Sequence, residues 1–323
     1  MLSFLCSPVN DRMAFVSTGK FSASFPQDKY RECYHLCDCR HGRVLFGNKR
    51  GGGENLALTV WDPMTGRQSK LDAPGYYSIH GAAVLCAVTG CDHSACHDCP
   101  LKLVFVGTDT QDGDWFSSVH ESFSWMGEWS KPRSRLNLRE YAFIDSMPPV
   151  LTRDALYFML LDYHEDEDDN YYAHFVIGIL KYDLGSNRLS LIDTPLSGIV
   201  IDGDVILMAM QDGCLGFAQV NMLTLYLWSR NMWSNGVASW NACTVIDLGE
   251  FLPIQNIKNK LNLIGSMEGN DIIYVSTDHG VYEISLKSIE WKKIWKRETF
   301  GALVPYISFY DPLERVNTYD GAH

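Results

Sequence analysis

A composite unit recurs along this 323-residue chain: an apolar run of four to eight residues, a polar or glycine turn, a second run, another turn, and a third run ending near a tryptophan or proline. The copies read "GRVLFGN", "LALTVWDPMTG", "RQSKLDAP" (Gly42 to Pro74); "LKLVFVGTD", "WFSSVHESFS", "GEWSKP" (Leu101 to Pro132); "DALYFMLLDY", "HFVIGILKYDLGS", "NRLSLIDTP" (Asp154 to Pro195); "DVILMAMQDG", "CLGFAQVNMLT", "LYLWSR" (Asp204 to Arg230); and "NDIIYVSTDHG", "VYEISLKS", "IEWKKIWK" (Asn270 to Lys296). Runs rich in Val, Ile, Leu, Phe and Tyr, bounded by Gly, Asp, Asn or Pro, are the pattern of strands, and helical patterning is confined to short pieces such as "SRLNLREYAF". First runs follow one another at about 50 to 65 residues, within the range of kelch-like propeller blades.

A small antiparallel sheet has two open edges and buries one face, so copies of it are stable when stacked face to face, and a closed ring leaves only short, protected edges. The expected fold is therefore all-β, a single β-propeller over residues 1–323. Its predicted count is six blades, five from the repeats and a sixth completed where "FLCSPVNDRMAFV" near the start meets "PYISFYDPLERV" near the end. The competing folds are a β-sandwich or two small β domains. Within the repeats, Asp62 of "WDPMTG" and Asp183 of "YDLGSN" are expected to end strands, with Gly66 and Gly185 supplying positive φ in the turns. Trp61, Trp129, Trp228 and Trp291 hold comparable places in different copies and read as blade-packing residues.

The net charge of −12, from 39 acidic and 27 basic side chains, opposes a nucleic-acid partner, which needs clustered Lys and Arg. The longest apolar candidate for a membrane span, "GIVIDGDVILMAM", is interrupted by Asp202 and Asp204, so no membrane association is expected. "MLSFLCSPVNDRM" lacks the basic and continuous apolar regions of a signal peptide. Ten cysteines in a chain that is 46% hydrophobic, large enough for a real core, fit a reducing compartment better than a disulfide framework, which points to cytoplasm or nucleus.

Two cysteine and histidine groups invite a metal reading. In "GCDHSACHDCP" (Gly90 to Pro100), Cys96 and Cys99 have an acceptable spacing, but Cys91 and His93 do not, and the loop between the pairs is short. Cys33, His35, Cys37, Cys39 and His41 alternate, so on a regular strand all five would share a face. Both groups are read here as strand and connection residues, and neither a metal ion nor a cofactor is expected. The acidic run "HEDEDD" (His164 to Asp169) lacks the ligand pattern of a calcium loop and reads as a solvated hairpin tip, as does the glycine-rich "RGGGEN" (Arg50 to Asn55).

No nucleophile elbow, zinc-protease motif or phosphate loop is present, so no catalytic residue is assigned. Asp109, Asp202 and Asp278 would serve a propeller enzyme only if the fold brought them together at the channel. For protein partners, tryptophans outside the repeated positions are the candidate anchors: Trp115, Trp233 and Trp240, with "SRNMWSNGVASWN" (Ser229 to Asn241) as the candidate recognition loop.

"CRHGRVLF" (Cys39 to Phe46), "LTVWDPMTG" (Leu58 to Gly66), "GAAVLCAVTGCDHSACHDCPLKLVFVGTD" (Gly81 to Asp109) and "GEWSKP" (Gly127 to Pro132) resemble the F-box-associated propeller proteins abundant in grasses. The resemblance runs along nearly the whole chain and is most specific in its first third. It implies a non-catalytic interaction propeller that recognises a protein substrate for a cullin-type ubiquitin ligase. In that family an F-box helical bundle precedes the propeller and docks on the ligase linker subunit. Here the opening "MLSFLCSPVNDRMAFVS" matches the segment after the F-box, so linker binding is expected only where an F-box is supplied elsewhere. The alternatives are a propeller hydrolase or lyase with a channel site, and a structural or decoy relative without an F-box.

Overall fold

The computed structural model describes residues 2–6, 13–17, 33–49, 56–75, 79–88, 91, 99–124, 127–165, 172–196, 203–232, 238–253, 261–296 and 302–306. The chain opens with β1 (Leu2–Cys6) and β2 (Met13–Ser17). Blade 1 is β3 (Cys33–Arg40), β4 (Arg43–Lys49), β5 (Leu56–Trp61) and β6 (Gln68–Asp72). Blade 2 is β7 (Ile79–Cys86), β8 (Leu101–Gln111), β9 (Asp114–Phe123) and β10 (Ser134–Asn137). Blade 3 begins with two short strands, β11 (Ala142–Ile144) and β12 (Val150–Thr152), both paired to β13 (Ala155–Glu165), followed by β14 (Tyr172–Asp183) and β15 (Arg188–Ile192). Blade 4 is β16 (Val205–Ala209), β17 (Leu215–Asn221), β18 (Thr224–Met232) and β19 (Ala238–Asp247). Blade 5 is β20 (Asn262–Met267), β21 (Ile272–Thr277), β22 (Gly280–Ser285) and β23 (Trp291–Trp295), and β24 (Ala302–Tyr306) follows it.

Each blade is an antiparallel meander, and both faces of its central strands are buried because a neighbour lies on either side. In β8, Leu103 and Phe105 pack toward blade 1, whereas the alternate residues Val104 and Val106 pack toward blade 3. In β17, Leu215 and Phe217 face blade 3 while Ala218 and Val220 face blade 5. The same alternation closes the circle: Leu303 joins the blade 5 residues Ile264 and Tyr274, and Val304 joins Leu36 and Phe46 of blade 1. A two-residue period with apolar groups at both phases is what a strand buried on both sides requires.

The fold is an all-β single propeller, but it has five blades rather than six. The strands from the two ends of the chain pair with each other, Leu2 opposite Tyr306, as a three-stranded sheet β2-β1-β24 between blade 5 and blade 1. They fill the ring without making a blade of the repeated kind. Helical structure among the described residues is limited to the turn Leu248–Glu250, and no helix there is long and apolar enough to cross a membrane.

Three local expectations are corrected. Gly66 does carry positive φ (73°), but in the matching turn the left-handed residue is Asn187 (φ 55°) and not Gly185, because that conformation falls four residues after the turn aspartate in both cases. Asparagine tolerates it better than most side chains. Trp61 is buried and Trp129 and Trp228 are half-buried, but Trp291 is exposed, since it starts the outermost strand of blade 5. "SRNMWSNGVASWN" is not one loop: Ser229–Met232 belong to β18 and Ala238–Asn241 to β19, paired from Ser229↔Asn241 to Met232↔Ala238.

The seam between β20 and β24 depends on Gly265, where a Cβ would lie 2.1 Å from the Leu303 carbonyl oxygen. Gly265→Ala is expected to push the two strands apart and to cost about 3 kcal/mol or more by urea denaturation, at the upper end for an overpacked contact. Proteolysis at residues 302–306 would quicken in parallel.

Candidate functional site

The axis of the ring is crossed by a charged network that starts on the innermost strand of blade 1. β3 and β4 are joined by His41 and Gly42, whose φ values of 53° and 68° fit the two-residue hairpin turn that matches strand twist. This turn sets Arg40 at the strand end with its side chain over the channel. The guanidinium pairs with Asp38 two residues back on β3, donates to the Pro149 carbonyl of blade 3 at 2.6 Å, and pairs with Glu268 beyond the end of β20 in blade 5. Asp38 also accepts from the Val84 N–H of blade 2 at 2.8 Å, and Glu268 from the Leu151 N–H of blade 3 at 3.0 Å. Two carboxylates and one guanidinium thereby join four of the five blades.

Burial dominates the electrostatics. It pushes the Asp38 carboxyl up to about 6, with Arg40 and the Val84 N–H pulling the other way. Despite its own burial, Arg40 is held firmly charged by Asp38 and Glu268. Burial, reinforced by Asp38, also pushes the Cys39 thiol well up, so it is no nucleophile at neutral pH. Beside the network lies a cavity of about 360 Å³ that Met147, Val150, Leu207 and Leu303 complete with apolar groups. Asp109 and Asp278 are not part of it: they sit at the hairpins of blades 2 and 5, and Asp202 lies outside the described residues.

The row from Cys33 to His41 does not share one face. A bulge between Leu36 and Asp38 shifts the register of β3 against β4, so Cys37 packs toward blade 2 and Cys39 toward the β24 side. His35 meets His80 of β7, Nε2 to Nε2 at 3.1 Å, with Cys37 close by, and its ring lies over Gly47, where a Cβ would be 2.1 Å from it. A second group joins Cys86, at the end of β7, to Cys91 and Cys99. His80 and Cys86 stand six residues apart on one strand, about 20 Å, so the two groups are separate. Cys96, His93 and His97 lie outside the described residues, as do Trp233 and the tip of the acidic hairpin.

Trp240 is half-buried on β19, not displayed on a loop. Its indole N–H donates to the Asp193 carbonyl at 2.8 Å and its ring meets Phe217 edge-on at 6.0 Å. Trp129 repeats the arrangement one blade pair earlier, donating to the Asp72 carbonyl at 2.6 Å and meeting Phe105 at 5.8 Å. Both acceptors belong to an Asp-x-Pro at the end of a blade's outermost strand, "DAP" and "DTP", and both donors come from the next blade. The pair of Asp-x-Pro segments was the available signal for this latch. Trp115 is half-buried at the start of β9 and tilts against Tyr141 at 5.5 Å; Tyr141 is 54% exposed and holds φ at 61°.

No protein-family model and no curated protein sequence matches the chain. Among solved structures, a post-proline cleaving enzyme from Rickettsia typhi is 12% identical with a TM-score of 0.39, over 84% of this chain and 46% of that one. The GH93 α-L-arabinofuranosidase of Fusarium graminearum is 10% identical with a TM-score of 0.42, over 86% and 85%. The WD40 domain of SCAP from fission yeast is 12% identical with a TM-score of 0.38, over 83% and 58%. This chain spans under half the length of the Rickettsia enzyme. Likenesses this faint carry nothing about function, and the propeller stands on its own sheet topology.

Arg40→Met leaves Asp38 buried without its cation and is expected to cost about 3–5 kcal/mol, partly recovered by adding Asp38→Asn. Between its ordinary 3.8 and about 6, the folded chain keeps a proton on Asp38 that the unfolded chain has lost. The stabilisation by Asp38 therefore falls as pH rises through that window, and urea titrations of wild type against Asp38→Asn read it. Trp240→Phe removes one hydrogen bond and some packing, for an expected loss of about 1–2 kcal/mol in the same assay. Trp129→Phe should add to it within about 0.5 kcal/mol.

Proposed function

We propose that this chain is a non-catalytic protein-interaction propeller, kelch-like in its repeat, that acts as the substrate-recognition part of a cullin-type ubiquitin ligase in the cytoplasm or nucleus. The reading rests on the resemblance of "CRHGRVLF", "LTVWDPMTG" and "GEWSKP" to the F-box-associated propellers of grasses, and on one structural observation. At the channel, where a propeller hydrolase or lyase would hold its acid and base, Arg40 engages both Asp38 and Glu268. Those carboxylates hold blades together and are poorly disposed for proton transfer to a substrate. The partner is a protein, and the linker subunit of the ligase is bound only through an F-box.

Of the tryptophans expected to anchor a partner, Trp115 fits best, because Trp240 serves as a latch. Tyr141 beside it is a large exposed aromatic in a backbone conformation that bulky residues rarely adopt, which favours a role other than stability. Affinity capture from the source tissue with the intact chain, followed by titration of the captured protein, tests the reading. Trp115→Ala with Tyr141→Ala should weaken that protein by about 30-fold, and the purified chain should not retain the linker subunit. Equal binding by wild type and the double variant, or turnover of a peptide or glycoside that Glu268→Gln abolishes, would overturn it.

A further inference from the structure

We propose that Cys86, Cys91 and Cys99 form a zinc site that clamps the connection between β7 and β8. The three thiols come from separate points of the chain, the end of β7 and both ends of the segment leading into β8, yet their sulfurs all lie within 4.8 Å of one another. None is in a disulfide, and Cys91 Sγ stands 3.9 Å from Cys99 Sγ. With zinc–sulfur bonds of about 2.3 Å, the edge of a tetrahedron is about 3.8 Å, so this pair is already at the spacing of two ligands on one ion. It is too far apart for a sulfur–sulfur bond, which is about 2.05 Å.

Two further observations favour a ligand role over packing. Cys37 is buried in the apolar cluster between blades 1 and 2, whereas Cys86, Cys91 and Cys99 are half-exposed and belong to none of the apolar clusters between blades. The turn after β7 also directs one backbone N–H toward sulfur: the Val88 N–H donates to Cys86 Sγ at 3.4 Å. Three thiolates are soft ligands and select zinc over magnesium or calcium. Each thiol gives up its proton to solvent on binding, three per ion, and the fourth position of the tetrahedron is left to a water molecule or another ligand. The His35 and His80 pair needs no ion, since one imidazole nitrogen can donate to the other.

The test is metal content of the full chain, purified under reducing conditions and loaded with zinc alone. About one zinc per chain is expected, falling below about 0.2 in Cys86→Ser and in Cys99→Ser and retained in His80→Gln. In case a serine variant fails to fold, alkylation of the wild type supplies a second reading. Zinc should protect Cys86, Cys91 and Cys99 from modification, chelator should expose them, and cobalt in place of zinc should give thiolate charge-transfer absorption. Overturning results are wild type that takes up no zinc after full reduction, zinc that stays in folded Cys86→Ser, or these three thiols alkylating at the same rate with and without zinc.

Discussion

Arg40 reaches across the axis of the ring to carboxylates and a carbonyl on three blades' worth of backbone, and the rest of the architecture is arranged around that reach. Apolar faces can stack blade on blade, but stacking is non-directional and does not by itself fix how inner strands meet at the centre. The Asp38–Arg40–Glu268 network does, because each bond has a set donor, acceptor and length. It also has a cost. Both Asp38 and Arg40 are almost completely removed from water, and a buried ion pair stabilises less than apolar residues of similar volume often would. What it adds is a geometry in which blades 1, 2, 3 and 5 share one set of bonds.

Outward from the axis, polar directionality gives way to alternation and then to latches. The middle strands of each blade bury both phases of a two-residue period, so consecutive residues such as Val104 and Phe105 face different neighbours. At the rim, the Trp129 and Trp240 indoles fasten one blade to the Asp-x-Pro carbonyl of the blade before it. Between these layers, buried Glu121 of blade 2 accepts from the Tyr182 hydroxyl of blade 3 at 2.8 Å and is neutralised by Lys102 at 2.5 Å. Directional bonds thus recur wherever two blades must hold one register, and apolar contact fills the space between.

The propeller was legible because its middle strands are long, apolar and bounded by turn residues. Most of its innermost strands were not. β3 reads "CYHLCDCR", β12 is three residues long, and β7 and β20 are interrupted by Gly81, Ala82, Ala83 and Gly265, whereas the apolar β16 of blade 4, "VILMA", is legible. The site suffered most: Asp38, Arg40 and Glu268 are spread over 230 residues, and no local pattern announces that they meet. The bulge at Cys37 likewise breaks an alternation that looked regular on paper. Cys86, which completes the group with Cys91 and Cys99, lies outside the dense run from Gly90 to Pro100.

That one guanidinium organises several blades has a direct readout in hydrogen exchange. The Val84 and Leu151 amides donate to the Asp38 and Glu268 side chains and belong to different blades. In Arg40→Met, both amides should lose protection together while amides between β21 and β22 keep theirs, since that pairing is away from the axis. Loss at Val84 alone, with Leu151 unchanged, would contradict a shared clasp and reduce Arg40 to a local partner of Asp38.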